Sequence, residues 1–261
     1  MKNVMLLEHA LKFAPTFVLA FFRIAGVMVS APLFGSARVP RRLKVLFALV
    51  IAAAIAPTLK PFILPESAWK LAAGIGGELL FGIAIGAALS FTFVAVNWAG
   101  EIIGQQMGLG IGQVFDPHFG GSGSVMGDLY FFLTLVIFLI VGGHLSFLKG
   151  VRESFDALPL LSVAMNQNLL DLVTALLQSA TALALQLAAP MLVTMLLTDV
   201  VLGFIGKTIP QINVMTAGLP LRSLVGMVVL IFGLMMCSRV IEESMLNAVK
   251  QVAAAFSGAM T

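Results

Sequence analysis

The sequence predicts a polytopic membrane protein of apolar helices, or a subunit that needs membrane or partner surface on every side. Three observations predict it. Hydrophobic residues make up 60% of the 261 and charged residues 10%, against roughly 25% charged in an ordinary soluble domain. Apolar runs recur near the length of about 20 residues that crosses a bilayer. Prolines and short polar clusters punctuate those runs, and neither a fixed-period repeat nor an independent soluble domain interrupts them, so 1–261 reads as one domain.

The elements follow in order. The first apolar stretch covers 13–34, with Arg23 at its middle and Pro15 and Pro32 near its ends. After the basic turn GSARVPRRLK comes VLFALVIAAAIAPTL, 45–59, short for a span at 15 residues. PTLKPFILPE holds three prolines, which break helix and mark a connection. A long helical pattern then runs over 66–112, with Glu78 in its first half. LYFFLTLVIFLIVGGHLSFL, 129–148, predicts a single clean span, and the more polar 149–171 a short amphipathic piece and a turn. Residues 172–198 are uncharged but contain Gln178, Gln186 and Pro190. Pro210 and Pro220 are expected to break the next segment before the apolar run 223–238.

The tail VIEESMLNAVKQVAAAF, 240–256, has a different pattern. Ile241, Met245, Val249, Val252 and Phe256 recur at helical spacing, with Glu242, Glu243, Asn247 and Lys250 largely elsewhere on the wheel. That predicts an amphipathic C-terminal helix. A lipid-surface helix would be richer in basic residues, so docking on a protein helix is the expectation.

Charge excludes some classes. The net charge of +3 is modest, and only Arg38, Arg41, Arg42 and Lys44 cluster. They suit lipid phosphates or a partner's acids; nucleic acid is not expected without interleaved aromatics. Lys and Arg should mark cytoplasmic loops, yet with six spans neither side of the membrane collects a clear excess. Either the spans differ from these, or partner proteins hold the segments. Cys237 is the sole cysteine, which excludes an internal disulfide. Glu8 and Lys12 interrupt the N-terminal apolar run, so no removable signal peptide is expected.

Glycines give the sharpest local signal. Gly82 and Gly86 form one small-residue edge, and Gly100, Gly104, Gly108 and Gly112 a longer one. Four-residue spacing keeps them on one helical stripe, and small residues let helix backbones approach where lipid supplies no hydrophobic drive. Each also weakens its helix by about 1 kcal/mol against Ala. The end of this helix should therefore unwind easily, and GQVFDPHFGGSGS continues it with Pro117 and a Gly/Ser run. Non-helical backbone at membrane depth is tolerated where protein buries it or a watery cavity meets it. A mobile loop over 107–123 that enters and leaves a pore fits; an ordinary solvent-facing connection is the plainer alternative.

Charges inside apolar stretches need partners or water. Arg23 and Glu78 lie within such stretches, Glu101 and Asp199 at their margins. No Lys or Arg occurs from Leu71 to Leu148, so acids there require a cation from elsewhere in the chain or from another subunit. Enzyme signatures are thin. His9, His118 and His144 lack metal-ligand spacing, and neither dinucleotide nor phosphate-loop glycine patterns occur. GGSG at 120–123 matches the short motif of an intramembrane serine protease, with His144 as a conceivable base. A secondary transporter with helices broken at Pro190 and Pro210 is the other alternative.

Read together, several passages resemble the FliR family of the flagellar type III secretion export gate, which has virulence-secretion relatives. They are PLFGSARVPRRLKVLFALVIAAAIAP, GELLFGIAIG, NWAGEIIGQQMGLGIGQVFDP and KTIPQINVMTAGLPLRSLVG, with Arg23 ahead of them. The resemblance implies an all-α fold of helical hairpins that assembles with homologous subunits into a closed, cone-shaped gate. It implies FliP-type and FliQ-type partners, FlhB-type and FlhA-type export proteins nearby, and unfolded flagellar subunits in transit. It implies no catalysis and no cofactor, a place in the flagellar basal body, and much of the assembly above the bilayer plane. A plug that closes the channel at rest would match Met107, Gly108, Gly110, Gly112, Phe115, Asp116 and Pro117.

Overall fold

The computed structural model describes residues 2–32, 39–59, 67–110, 124–161, 168–209, 211 and 214–257. The fold is all-α: among the described residues there are seven α-helices, one turn of 3-10 helix and no strand. Helix α1 is Lys2–Ser30 and α2 is Arg41–Ile55, followed by the 3-10 turn Ala56–Thr58. Helices α3 to α7 are Ala68–Gln106, Val125–Ile140, Gly143–Ala157, Asn168–Thr208 and Val214–Ser257.

Among the described residues, four segments are long and apolar enough to cross a membrane: Phe13–Ser30, Ala68–Gln106, Val173–Thr208 and Thr216–Leu234. The bent pair α4–α5 makes a fifth if counted as one span. The six spans expected from the sequence therefore shrink. Helix α2, at 15 residues, reaches about 22 Å at 1.5 Å per residue, short of a hydrocarbon core of about 30 Å. Helices α3, α6 and α7 have 39, 41 and 44 residues and extend roughly 58–66 Å, about twice that core.

Two sequence expectations are corrected here. The single span over 129–148 is broken, because α4 ends at Ile140 and a new helix, α5, starts at Gly143. Gly142 makes the corner with φ +72°, a left-handed conformation that glycine adopts without steric penalty. Pro190 and Pro220 do not break their helices; both lie inside α6 and α7. An apolar setting offers no water to a freed carbonyl, so the chain stays helical and keeps its remaining backbone bonds. The tail 240–256 is helical and forms the last part of α7, which runs on to Ser257. Pro210 lies outside the described residues.

The chain divides into two compact units. The first comprises Met1–Phe91, Gly143–Leu176 and Leu246–Thr261. In it, Leu19, Ala20, Ile24 and Val27 of α1, Phe81 and Ile85 of α3, and Phe147, Val151 and Phe155 of α5 are buried. Helix α5 buries every fourth residue, and its outer face pairs Lys149 with Glu153 and Arg152 with Asp156. Helix α2 packs on α1 through Ala48 and Ala52. The second unit comprises Thr92–Gly142 and Leu177–Met245. There Phe93 of α3 meets Phe131 and Phe138 of α4 edge-on, at centroid distances of 5.7 and 5.8 Å. Met191 and Met195 of α6 are buried as well.

Candidate functional site

The most closely knit polar site lies in the first unit. Arg23, a fully buried residue of α1, donates from Nε to Glu78 Oε2 of α3 at 2.6 Å. Its two remaining nitrogens donate to the carbonyls of Ser154 (2.9 Å) and Leu158 (3.1 Å), at the C-terminal end of α5. The Ser154 carbonyl also accepts from the Leu158 N–H at 3.0 Å, and the Leu158 carbonyl lies just past the helix end at Ala157, where the backbone acceptors run out of intrahelical donors. The guanidinium is sandwiched by Phe81 and Phe155, 4.7 and 4.3 Å from their ring centroids, an arrangement that favours a planar cation. Glu78 uses its second oxygen to accept from the Leu161 N–H at 2.9 Å. Leu161 has φ +63°, uncommon for a non-glycine residue, and its side chain occupies the place a Cβ on Gly74 would need. One charge pair thus ties α1, α3 and the end of α5 together.

Glycines set the spacing beside that pair. A Cβ on Gly82 would overlap the Arg23 carbonyl oxygen, and one on Gly26 the Leu79 carbonyl oxygen. At Gly86 the added carbon would meet Ser30 Oγ and lie 2.7 Å from the Val27 oxygen. The helices α1 and α3 therefore touch backbone to backbone. Ser30 Oγ donates across the contact to the Ile83 carbonyl at 2.9 Å, and Ser90 Oγ returns a bond to the Ser30 carbonyl.

In the second unit, Gly100 faces the start of α4, where a Cβ would come within 2.5 Å of the Met126 oxygen. Gly104 is looser, with Ser124 Oγ and Met126 Cβ at 3.1 and 3.2 Å from the added carbon. The stripe does not continue through Gly108 as one helix. Helix α3 stops at Gln106, and Gly108 has φ +78°. Leu109 N–H donates to the Gly104 carbonyl and Gly108 N–H to the Gln105 carbonyl, the pairing of a Schellman stop. Gly108 is thus the terminator of the helix, and the pattern expected over 66–112 ends six residues early.

Met107, the first residue of the expected plug, is 3% exposed. Its carbonyl accepts from Ser223 Oγ at 3.0 Å, and its side chain fills the space beside Gly226. Gly110 has open space around it. Gly112, Phe115, Asp116 and Pro117 lie outside the described residues, as does Ser122 of the GGSG motif.

The remaining charges are spread out. Asp199 of α6 pairs with Arg222 of α7 at 2.6 Å, with the two side chains 43% and 39% exposed. Glu101 lies against Gly127 and has no ion-pair partner among the described residues. Arg41 and Arg42 are exposed at the start of α2, Lys44 is half-buried, and Arg38 lies outside the described residues. A cavity of about 390 Å³ in the second unit is lined mainly by apolar residues, among them Ile103, Leu187, Met191, Leu230 and Phe232.

Sequence reasoning singled out Arg23 and Glu78 but missed what they hold. Ser154, Leu158 and Leu161 contribute backbone groups, which no residue type announces. It also missed Gly26 and Arg222. Each carried a signal: Gly26 stands one helical turn from Arg23, and Arg222 is the one cation between Lys207 and Arg239.

Residues 14–248 match the family model described as bacterial export proteins, family 1. Similar curated proteins include the flagellar biosynthetic protein FliR of Escherichia coli strain K12, 31% identical over 204 residues, or 78% of each chain. The protein of that name from Bacillus subtilis strain 168 is 30% identical over 83% of this chain and 85% of its own. That from Aquifex aeolicus strain VF5 is 32% identical over 85% and 86%. With the family model spanning nearly the whole sequence and these relatives matched over most of their length, the chain belongs to the FliR family of bacterial export proteins.

Proposed function

We propose that this protein is a non-enzymatic wall subunit of a flagellar protein export gate in the bacterial inner membrane. It forms, with FliP-type and FliQ-type subunits, the passage through which unfolded flagellar proteins leave, and FlhB-type and FlhA-type proteins attend it. The supporting observation is the apolar surface the chain leaves uncovered. Leu196, Leu197, Val200 and Phe204 on α6, and Leu224, Met227, Ile231 and Phe232 on α7, are all more than half exposed. Exposed apolar area on that scale marks a surface for membrane or protein. Helices about twice the hydrocarbon thickness favour sister subunits over lipid for part of it.

In this reading the glycine contacts hold helices close enough to form a wall. Arg23 and Glu78 fix its inner joints, Asp199 and Glu101 face neighbouring subunits, and Arg38, Arg41, Arg42 and Lys44 meet a partner or the membrane. Residues 107–123 close the passage at rest. Met107 and the stop at Gly108 form the anchored root of that plug, and the residues after them supply the movable part. Selection is steric, and partner proteins supply the energy. Deleting 110–121 is expected to leave co-purification with partner subunits intact while making cells permeable to small ions. Unchanged permeability in assembled complexes would overturn the plug assignment.

A further inference from the structure

We infer that α2 is a half-span seated in one leaflet, with its first turn binding anionic phospholipid headgroups. This goes beyond the export reading and does not depend on what is exported. Three observations carry it.

The first is the arrangement of polarity. Most helices that dock on proteins are amphipathic across their width, with one apolar side. Helix α2 is amphipathic along its length. Arg41, Arg42 and Lys44 occupy its first turn, and no polar side chain comes after them within Arg41–Ile55. Only Ala48 and Ala52 of this helix are buried. Leu43, Leu46, Phe47 and Val50 are 43–59% exposed, and the apolar surface extends over more than half the circumference. A shaft that is apolar nearly all round with a charged end matches a medium whose polarity changes along the helix axis. A bilayer leaflet is such a medium. A helix of about 22 Å descends through one leaflet and stops short of the far side of a core of about 30 Å.

The second is missing neutralisation. No Asp or Glu occurs between Glu8 and Glu66. Among the described residues no ion pair involves Arg41, Arg42 or Lys44.

The third is orientation. Cations at a helix N-terminus oppose the macrodipole, and this first turn holds no acid. Inside the fold the placement is unfavourable; phosphate outside it reverses the sign. Long basic side chains keep their stems along apolar surface and present the charge at the headgroup level.

The test uses the full-length chain in mild detergent, titrated with phosphatidylglycerol or phosphatidylcholine of identical acyl chains. Native mass spectrometry counts the lipid retained. A preference for phosphatidylglycerol of up to about a hundredfold is expected, since each of the three basic residues near an anionic surface contributes on the order of a fivefold gain. The triple change R41Q/R42Q/K44Q should reduce the preference to near parity. A charge-matched control, K70Q/K149Q/K207Q, should retain it. Leu46→Ser with Val50→Ser should weaken retention of both lipids alike. These substitutions are mostly at exposed positions, and unchanged circular dichroism would show that the fold survives. Equal retention of the two lipids by the unaltered chain would overturn the inference. So would a preference that survives the triple change. If the triple change instead released a co-purifying protein and left the lipid preference intact, α2 would be a protein-docking helix and the inference would fail.

Discussion

Two ion pairs in this molecule have the same 2.6 Å length and opposite surroundings. Arg23–Glu78 in the first unit is fully buried, and every neighbour it bonds is specified. Asp199–Arg222 in the second unit is about two-fifths exposed. Distance alone therefore says little about what a charge pair does. Buried, the pair needs near-complete satisfaction, because removing one partner leaves a charge without water or counter-charge. Half-exposed, the pair contributes little to the isolated fold and presents its remaining lone pair and N–H groups outward. The first pair organises one unit internally. The second is left partly exposed on α6 and α7.

The largest effect should come from separating the buried pair. Glu78→Gln keeps the volume and strands the Arg23 charge, and a loss of about 3–5 kcal/mol is expected, read as a lowered melting temperature of the detergent-solubilised chain. Replacing both partners, Arg23→Met with Glu78→Leu, should recover part of the loss. Recovery should be incomplete, because the Leu158 carbonyl and the Leu161 N–H lose these partners while the Ser154 carbonyl loses one of its two. Full recovery would mean that the network is charge pairing and little else.

A smaller effect tests whether the two units tolerate added bulk differently. Gly82→Ala forces a Cβ into the Arg23 carbonyl, and overpacking of this kind costs about 1–3 kcal/mol. At Gly104 the nearest atoms are side-chain atoms at 3.1–3.3 Å, which move easily, and Ala improves helix propensity by about 1 kcal/mol. Gly104→Ala should therefore be near neutral in the same melt. Equal losses at both sites would erase the distinction between a backbone contact and a side-chain contact.

The smallest effect on the isolated chain should come from the exposed pair. Asp199→Asn is expected to change its stability by less than about 1 kcal/mol, yet to reduce recovery of partner subunits in co-purification. Unchanged recovery would mean that α6 and α7 are covered by lipid at this point.

Much of this was legible in the chain because it derives from residue type. The apolar runs announced long helices, Arg23 and Glu78 stood out as charges where none is cheap, and Gly82 with Gly86 marked a close approach. Helix ends were harder. Three glycines at four-residue spacing look alike on a wheel, yet Gly100 and Gly104 lie within α3 while Gly108 ends it. The difference is a backbone angle fixed by contacts distant in sequence, including the bond from Ser223 to the Met107 carbonyl. The corner at Gly142 was hidden in the same way, inside a run apolar enough to pass for one span.

By itself the sequence determined the class of molecule, because composition decides whether water or an apolar medium can surround a chain. It also determined which charges would need company, since a buried charge must be satisfied wherever it falls. Only the tertiary structure decided who provides that company. Arg23 reaches Glu78 across 55 residues and Ser154 across 131, and its bonds to Ser154 and Leu158 go to backbone carbonyls that are identical in every residue. Packing chooses among equivalent peptide groups by position, and position is the one property that a string of letters does not carry.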